Sequence, residues 1–332
     1  CTLRDDLLKE VRTLAEDGRF DYLVIESTGI SEPLPVAATF SFRDEEGQSL
    51  GDVSQIDTMV TVVDAVNLLA DYSSSDLLSA RGETAGEEDD RSLVSLLVEQ
   101  IEFADVVIVN KASDVSPEQL AMVKKVVASL NADAKIIEAD HSKVALDDVI
   151  GTGLYDEEQS EQHPLWLKEL YDFASHRPES EEYGVESFVY RARRPFDPEK
   201  LYAFLTGEHL DKVIRAKGHF WTATRPDFLA ELAIAGTQKS VSRMGRWWAA
   251  VPKHHWPEDG TFEEFVVKHW QDPWGDRRQE MVFIGINMDQ DAITAALEAC
   301  LVPGNEFTPE VWESMHDPFP KWAPATPVSE PA

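Results

Sequence analysis

The first half of the chain alternates between amphipathic segments of helical period and short apolar runs. Apolar residues recur at helical spacing through residues 3–16, with charged residues between them, and Gly18 is expected to end that helix. The same spacing predicts helices near 91–103 and 117–130. Apolar runs bounded by polar residues predict strands at 22–26, 58–64, 106–109 and 135–138. This alternation predicts an α/β fold, a parallel sheet with helices on both faces.

The second half has a different pattern, in which aromatic runs dominate. All nine Trp residues lie at position 166 or later, and a polar stretch at 156–184 precedes most of them. Strands are predicted at 187–190, 220–224, 247–251 and 281–285, and helices near 197–207 and 289–301. This pattern predicts a smaller α+β domain with one sheet face open to a partner. We predict a first domain at 1–160, a linker at 161–184, a second domain at 185–302, and a tail at 303–332 whose end is disordered.

Length and composition restrict the class of protein. The 332 residues are enough for two domains with separate cores. The 30 basic and 62 acidic residues give a net charge of −32, which disfavours nucleic acid and anionic membrane as partners. No apolar run approaches the roughly 18 residues of a membrane span. Because Cys1 and Cys300 are the only cysteines, no disulfide framework is expected and the reducing cytoplasm is the predicted compartment.

The stretch from Tyr22 to Pro33 carries the first candidate chemistry. Its apolar run leads into Glu26, and a turn of small residues follows that ends at Gly29. A buried parallel strand would deliver Glu26 to the carboxyl edge of the sheet, where nucleotide phosphates and their Mg²⁺ usually bind. There Glu26 could hydrogen-bond to a Mg²⁺-bound water or orient the attacking water, and Gly29 could approach a γ-phosphate through its backbone N–H. The alternative is that Glu26 only caps a turn.

A second strand end repeats the pattern and indicates a guanine-reading loop. The run 106–109 leads into Asn110 and Lys111. In such a loop the asparagine holds the adjoining loop and the lysine stem packs on the flat base. An aspartate two positions after the lysine should accept both edge N–H groups of guanine. Here that position is Ser113, and Asp114 comes one residue late. Either Asp114 moves in after a loop shift or guanine preference is weakened, and we favour the second reading.

These residues carry a family resemblance that covers nearly the whole chain in order. The chain resembles the CobW-like GTPases, a P-loop family associated with cobalt and zinc handling, and in particular its zinc-regulated metallochaperone branch. The matching stretches are 1–8, 26–33, 58–64, 100–105, 151–156, 188–196, 245–252 and 276–285. The resemblance implies a GTPase domain followed by a CobW carboxyl-terminal domain. It also implies that GTP and Mg²⁺ binding and hydrolysis are coupled to the binding of Zn²⁺ or Co²⁺ and its delivery to a metal-dependent client protein.

The chain departs from the family pattern at three places. The family has a Cys-x-Cys-Cys motif before the Thr-Leu-Arg run, so Cys1 resembles its last cysteine and is the implied metal ligand; one thiolate cannot close a site. No Gly-x-x-x-x-Gly-Lys-Ser/Thr phosphate loop occurs, so the first strand and its loop are missing and the chain as given is expected not to hydrolyse GTP. The third departure is Ser113. Since the chain begins with Cys rather than Met, we expect a fragment or a processed product.

Three functional hypotheses remain open. The intact gene product is a GTP-hydrolysing zinc metallochaperone and this chain is its truncated form, which is the hypothesis we favour. Alternatively, the chain is a non-catalytic client- or metal-binding protein derived from this fold. A third possibility is a related assembly GTPase for nickel or cobalamin enzymes.

A few further residues are weaker candidates for a functional role. The adjacent His254–His255 pair is expected to point to opposite sides of an extended chain and to be solvated, with metal binding as the alternative. His141 follows a predicted strand and could contact a base or a metal. Of Trp247 and Trp248, one is expected in the core and the other exposed. Cys300 is expected to be a buried structural thiol.

Overall fold

The computed structural model describes residues 2–27, 29, 32–41, 43, 47, 49–73, 92–156, 185–257 and 266–322. The chain divides into two compact units, Cys1–Val185 with Ala235–Gln238, and Glu186–Ile234 with Lys239–Ala332. The linker predicted at 161–184, the end of the predicted tail and Cys1 lie outside the described residues. Within the described residues, no helix has the length and apolar character that crossing a membrane requires.

The first unit is built on a parallel sheet of three strands. They are β1 (Val60–Asp64), β2 (Val106–Asn110) and β3 (Lys135–Ala139), in the order β1-β2-β3. Both pairings are parallel, and the last residues of the three strands are register partners: Asp64 with Asn110, and Asn110 with Ala139. The central strand β2 is buried along its apolar run because it has a neighbour on each side. The predicted α/β class is confirmed.

Helices connect and flank these strands. Their bounds are α1 (Thr2–Asp17), α2 (Pro33–Ser41), α3 (Leu68–Tyr72), α4 (Leu93–Glu102) and α5 (Pro117–Leu130). Gly18 follows α1 with a left-handed φ of 66°, as expected of a residue that ends a helix. The Ser92 and Ser116 side chains accept hydrogen bonds from the first turns of α4 and α5. The sequence did not predict α2 or α3, because α2 is apolar around its whole circumference and α3 has only five residues.

The strand predicted at 22–26 is wrong. Residues 22–27 have no regular secondary structure, and their side chains are exposed. No strand of the described sheet pairs with them, since that sheet contains only β1, β2 and β3. An apolar run without a hydrogen-bonded neighbour on either side cannot bury its side chains or satisfy its backbone as a strand.

The second unit contains a five-stranded sheet in the order β4-β8-β5-β6-β7. Its strands are β4 (Val185–Ala192), β5 (Val213–Phe220), β6 (Phe228–Ala235), β7 (Gln238–Arg246) and β8 (Gln279–Ile286), and β5 pairs with β8 antiparallel. The helices are α6 (Pro198–Thr206), α7 (Gln290–Cys300) and α8 (Pro309–Trp312). Side chains from α6 and α7 share one core with the strands, among them Leu201, Leu297 and Phe283. The predicted α+β class of this domain is confirmed.

The strands predicted at 220–224 and 247–251 are wrong, and the tryptophans explain why. Strand β5 ends at Phe220, and residues 248–250 form a 3₁₀ turn. Trp221 and Trp247 are buried in a separate cluster with Trp274 and Trp312, and the Arg277 guanidinium lies 5.8 Å from the Trp221 ring. Packing of large rings against each other and against a cation decides the local structure here, rather than strand propensity.

Candidate nucleotide site

The polar residues that follow the strands meet at one edge of the parallel sheet. Asp64, Asn110 and Ala139 are register partners at the carboxyl ends of β1, β2 and β3, so Lys111 and Asp140 begin the two loops that leave this edge. In open α/β sheets this edge is where ligands bind. The arrangement therefore makes the carboxyl edge the candidate site of the first unit.

The backbone of these two loops adopts conformations that non-glycine residues seldom take. Lys111, His141 and Ser142 have φ values of 60°, 54° and 54°. Left-handed non-glycine residues are uncommon, and they concentrate at binding sites where surrounding contacts hold them in place. Three of them in two adjoining loops point to a binding function for this edge.

Asn110 ties the two loops together. Its Oδ1 accepts a hydrogen bond of 2.8 Å from the Ser142 N–H, which fixes the loop after β3 against the end of β2. This is the contact expected of an asparagine that holds the adjoining loop. His141 lies in that loop and is exposed. The roles of Asn110 and His141 toward a base remain predictions.

Lys111 extends from β2 toward the end of β1. Its Nζ lies 2.7 Å from Asp64 Oδ2. The hydrogen bond that Lys111 donates to Asp64 raises the pKa of Lys111. Burial raises the pKa of Asp64, but hydrogen bonds from Lys111, the Val66 N–H and Asn67 outweigh burial and lower it. The pair keeps one cation and one anion at the edge at neutral pH.

Ser113 lies against an acidic residue that the sequence reasoning missed. The Ser113 N–H and hydroxyl both donate to Asp140 Oδ1, at 3.0 and 2.8 Å. These backbone and side-chain hydrogen bonds lower the pKa of Asp140. Asp114 is exposed, and its N–H closes the 3₁₀ turn on the Lys111 carbonyl at 3.1 Å. The sequence contained the signal for Asp140, because it lies two residues after the end of the predicted strand 135–138.

Glu26 and Gly29 lie on the exposed segment before α2. The Gly29 carbonyl accepts a hydrogen bond of 2.9 Å from Gln100 Nε2 on α4, and a Cβ added to Gly29 would meet nothing within 4 Å. Among the described residues, no hydrogen bond joins Glu26 or Gly29 to the loop of Asn110 and Lys111. The structure therefore brings together Asn110, Lys111, Ser113 and Asp114, while the catalytic roles of Glu26 and Gly29 remain predictions.

The segment that contains Glu26 is held at Tyr22 by a contact at the amino-terminal end of β1. The Asp57 carboxylate, three residues before β1, accepts hydrogen bonds from the Tyr22 hydroxyl at 2.5 Å and from the N–H groups of Thr152 and Gly153 at 3.1 and 2.7 Å. Burial would raise the pKa of Asp57, but hydrogen bonds from Tyr22, the two N–H groups and Thr58 lower it to about 2. Residues 151–156, one of the stretches that carry the family resemblance, thus contact Asp57 at the amino-terminal end of β1.

The described residues do not form a metal site. No group of three or more His, Cys, Asp or Glu side chains among them could hold an ion. His254 and His255 have ring centroids 4.1 Å apart, so the expectation that they point to opposite sides is wrong, because residues 253–255 form a 3₁₀ turn. Cys300 is buried in α7, as expected, and burial raises the pKa of its thiol to about 11. A protonated, buried thiol is inert toward metals.

A parallel sheet of three strands with flanking helices defines an α/β domain, here followed by an α+β domain. The sequence profile described as CobW/HypB/UreG, nucleotide-binding domain matches residues 1–138. The profile described as cobalamin synthesis protein cobW C-terminal domain matches residues 185–301. The chain belongs to the CobW family of GTPases, as the resemblance indicated.

Two curated relatives have names that agree with this assignment. The zinc-regulated GTPase metalloprotein activator 1 of Dictyostelium discoideum is 41% identical over 325 residues, which cover 96% of this chain and 68% of the relative. A Mycobacterium tuberculosis protein named a zinc chaperone is 28% identical over 331 residues, covering 97% and 77%. The Zn(II)-bound YjiA GTPase from E. coli is a similar solved structure, with 20% identity, a TM-score of 0.36, and coverage of 90% and 77%.

Proposed function

We propose that this protein is a GTP-hydrolysing metallochaperone that couples nucleotide binding to the binding of zinc and its delivery to a metal-dependent client protein. The observation that carries the proposal is the pair of loops at the carboxyl edge, locked together by the hydrogen bonds between Asn110 and Ser142 and between Ser113 and Asp140. Family membership and the names of the relatives support the nucleotide and the metal.

The base side of the proposed site consists of residues on the two loops. Asn110 fixes the loop after β3, and the Lys111 stem, drawn toward β1 by Asp64, offers an apolar surface to a flat base. Ser113 and Asp114 follow in the turn after Lys111. The hydrogen bond from the Asp114 N–H to the Lys111 carbonyl holds this turn in place before a ligand arrives, which lowers the entropic cost of binding.

The phosphate side of the proposed site involves the exposed segment of Glu26 and Gly29. Glu26 would orient water near Mg²⁺, and the Gly29 N–H would contact the terminal phosphate. Because residues 22–27 have no strand partners, contacts with a nucleotide can order this segment, as in other nucleotide switches. Because Gln100 lies on α4, its hydrogen bond to the Gly29 carbonyl would couple such a rearrangement to that helix.

Zinc is the cargo in this proposal, and Co²⁺ is the alternative. Cys1 would supply one thiolate ligand, a donor type that suits zinc. A reducing compartment such as the cytoplasm keeps that thiolate free for the metal. The second, α+β unit would contact the client protein.

The test measures phosphate release by the protein as its native gene encodes it, with GTP or ATP and with zinc, cobalt or a chelator. We expect hydrolysis of GTP that changes with zinc. Glu26→Gln should lower turnover by about 100-fold or more, since water orientation is lost. Glu16→Gln, on the exposed side of α1, is the matched control and should leave turnover unchanged.

Two results would contradict the proposal. Hydrolysis that ignores zinc, together with weak zinc binding in equilibrium dialysis, would remove the metallochaperone function. Full turnover in Glu26→Gln would remove the role of Glu26 while leaving the GTPase function in place.

A further inference from the structure

The acid that reads a guanine base has a new candidate in this chain. We propose that Asp140 is the carboxylate that accepts the N1–H and N2–H groups of guanine, and that Ser113 is a positioning residue that holds Asp140 in place. The inference rests on the proposed function, because it assigns the specificity of the same site.

The first step is the placement of the two residues. Ser113 occupies the position, two residues after Lys111, at which the guanine-reading aspartate is expected. Its hydroxyl lies 2.8 Å from Asp140 Oδ1, and its N–H lies 3.0 Å from the same oxygen. The carboxylate of Asp140 is thus one hydrogen bond away from the place where an aspartate at 113 would present its own. The acid lies on the loop after β3 and the hydroxyl on the loop after β2, and the two meet at the same point of the edge.

The second step is the capacity of the Asp140 carboxylate. An ionised carboxylate offers about four acceptor positions on its two oxygens. Both hydrogen bonds from Ser113 go to Oδ1, so the acceptor positions of Oδ2 can receive two N–H groups of a base edge. Because Ser113 lowers the pKa of Asp140, the group is an anion at neutral pH, as a charge-assisted bidentate contact requires.

The third step is the rigidity of the loop that carries Asp140. Ala139, the residue before it, is paired with Asn110 in the sheet, and Ser142, two residues after it, is held by the Asn110 side chain. The Asp140 carbonyl accepts a hydrogen bond of 3.1 Å from the Lys143 N–H. A carboxylate fixed in this way before binding discriminates between bases better than one that must be ordered by the ligand.

Asp114 does not have this placement. It is exposed at the end of the 3₁₀ turn, and the hydrogen bond of its N–H to the Lys111 carbonyl holds the turn in its present form. Bringing its side chain to the place of residue 113 would require that turn to open. Asp140 needs no such change.

The test measures equilibrium affinities of the gene-encoded protein for GTP, ITP, XTP and ATP by competition with a fluorescent GTP analogue. The wild type should prefer GTP to ITP by about 10-fold or more, because inosine lacks the 2-amino donor and a hydrogen bond to a charged acceptor is lost. Asp140→Asn should weaken GTP binding on the order of 100-fold and improve XTP binding, since an amide can donate to the 2-oxo group of xanthine. Ser113→Ala should weaken GTP binding by a smaller factor, about 3- to 10-fold. Asp147→Asn, which changes an exposed carboxylate in the 3₁₀ turn 146–148, is the matched control and should leave all four affinities unchanged.

A double variant separates specificity from folding. In S113D/D140S the acid returns to the first loop with its hydroxyl partner opposite, so GTP selectivity should be close to that of the wild type. If Asp140→Asn fails to fold, loss of GTP selectivity in the single variant Asp140→Ser, regained in S113D/D140S, supports the role of Asp140, and wild-type selectivity in Asp140→Ser contradicts it.

The remaining outcomes distinguish the two proposals. Wild-type affinity for GTP in Asp140→Asn, with the loss found in Asp114→Asn, would assign the reading to Asp114. Tight binding of GTP, ITP and ATP alike by the wild type would overturn the role of Asp140 and leave nucleotide binding intact. No binding of any of these nucleotides by the gene-encoded protein would overturn the proposed function, and this inference with it.

Discussion

Residues 22–26 and 106–110 both place four apolar residues ahead of a polar one, yet only the second stretch forms a strand. In the second stretch, β2, the apolar side chains are between 0% and 5% exposed. In the first stretch they are between 37% and 74% exposed, with Val24 at the upper limit. The two runs have nearly the same intrinsic preference for a strand.

The difference lies in the neighbours that each run finds. β2 pairs along its whole length with β1 on one side and β3 on the other. Residues 22–26 pair with none of these strands, and β1 itself exposes Val60 and Val62 at the edge of the sheet. Strand formation in this unit therefore depends on hydrogen-bonded neighbours and burial on both faces, more than on propensity.

A charge placed in each run tests this comparison most strongly. Val107→Asp should lower the free energy of unfolding on the order of 4 kcal/mol or more, because it buries an unpaired carboxylate in β2. Val24→Asp is the matched change in the exposed run and should alter it by less than about 0.5 kcal/mol. Urea unfolding followed by far-ultraviolet circular dichroism measures both. A large loss for Val24→Asp would mean that the first run is buried in solution.

The sequence predicted the parts of the fold that are determined locally. Helix α5 was predicted at 117–130 and has those bounds, because Ser116 caps it and its apolar stripe has the helical period. The wrong strand predictions share a cause: the structure of each segment depends on residues that are distant in the sequence. The run 22–26 has no pairing strand, and the runs at 220–224 and 247–251 end in an aromatic cluster that involves Trp274 and Trp312.

The same limit applies to the candidate site, where the residues next to a predicted strand were found and the partner on the other loop was not. Asn110 and Lys111 were found because they follow directly on an apolar strand, and the hydrogen bond to Ser142 is a contact expected of such an asparagine. Asp140 was missed as a partner of Ser113, since 27 residues separate them and only the pairing of β2 with β3 brings them together. A site distributed over two loops becomes visible only when the register of the sheet is known.

A second prediction sharpens the comparison by testing what fixes the strands beside β2. Asn131 is fully buried after α5, and its Nδ2 donates to the carbonyls of Ile101, Glu102 and Ala104, which lead into β2. Its Oδ1 accepts from the N–H groups that lead into β3. Asn131→Ala should cost about 3 kcal/mol, because several buried polar groups lose their partners. Asn67→Ala, which removes one exposed hydrogen bond to Asp64, is the matched control and should cost less than about 1 kcal/mol by the same urea assay. Equal losses would show that the turn after α5 does not set the positions of β2 and β3.

The smallest expected effect concerns the hydrogen bond at Tyr22, the first residue of the unpaired run. The Tyr22 hydroxyl donates to Asp57, whose pKa of about 2 lies below the value of about 3.9 for an unfolded aspartate. A depressed folded pKa contributes stability that is present above the unfolded pKa and is lost as the pH falls through the folded pKa. Tyr22→Phe removes one donor, so the pKa of Asp57 should rise toward its unfolded value. The stability that Asp57 loses on acidification between these two pKa values should therefore shrink, and stability at pH 7 should fall by less than about 1 kcal/mol.

Carboxyl-carbon NMR titration of Asp57, together with acid unfolding between about pH 5 and pH 1, measures both effects of Tyr22→Phe. Tyr202→Phe, at an exposed position of α6, is the control and should leave the titration of Asp57 unchanged. An unchanged Asp57 pKa in Tyr22→Phe would mean that the N–H groups of Thr152 and Gly153 suffice to hold the carboxylate. The Tyr22 hydroxyl would then contribute little to the charge state of Asp57, and the run 22–26 would differ from β2 in the weakness of this contact as well as in its lack of strand partners.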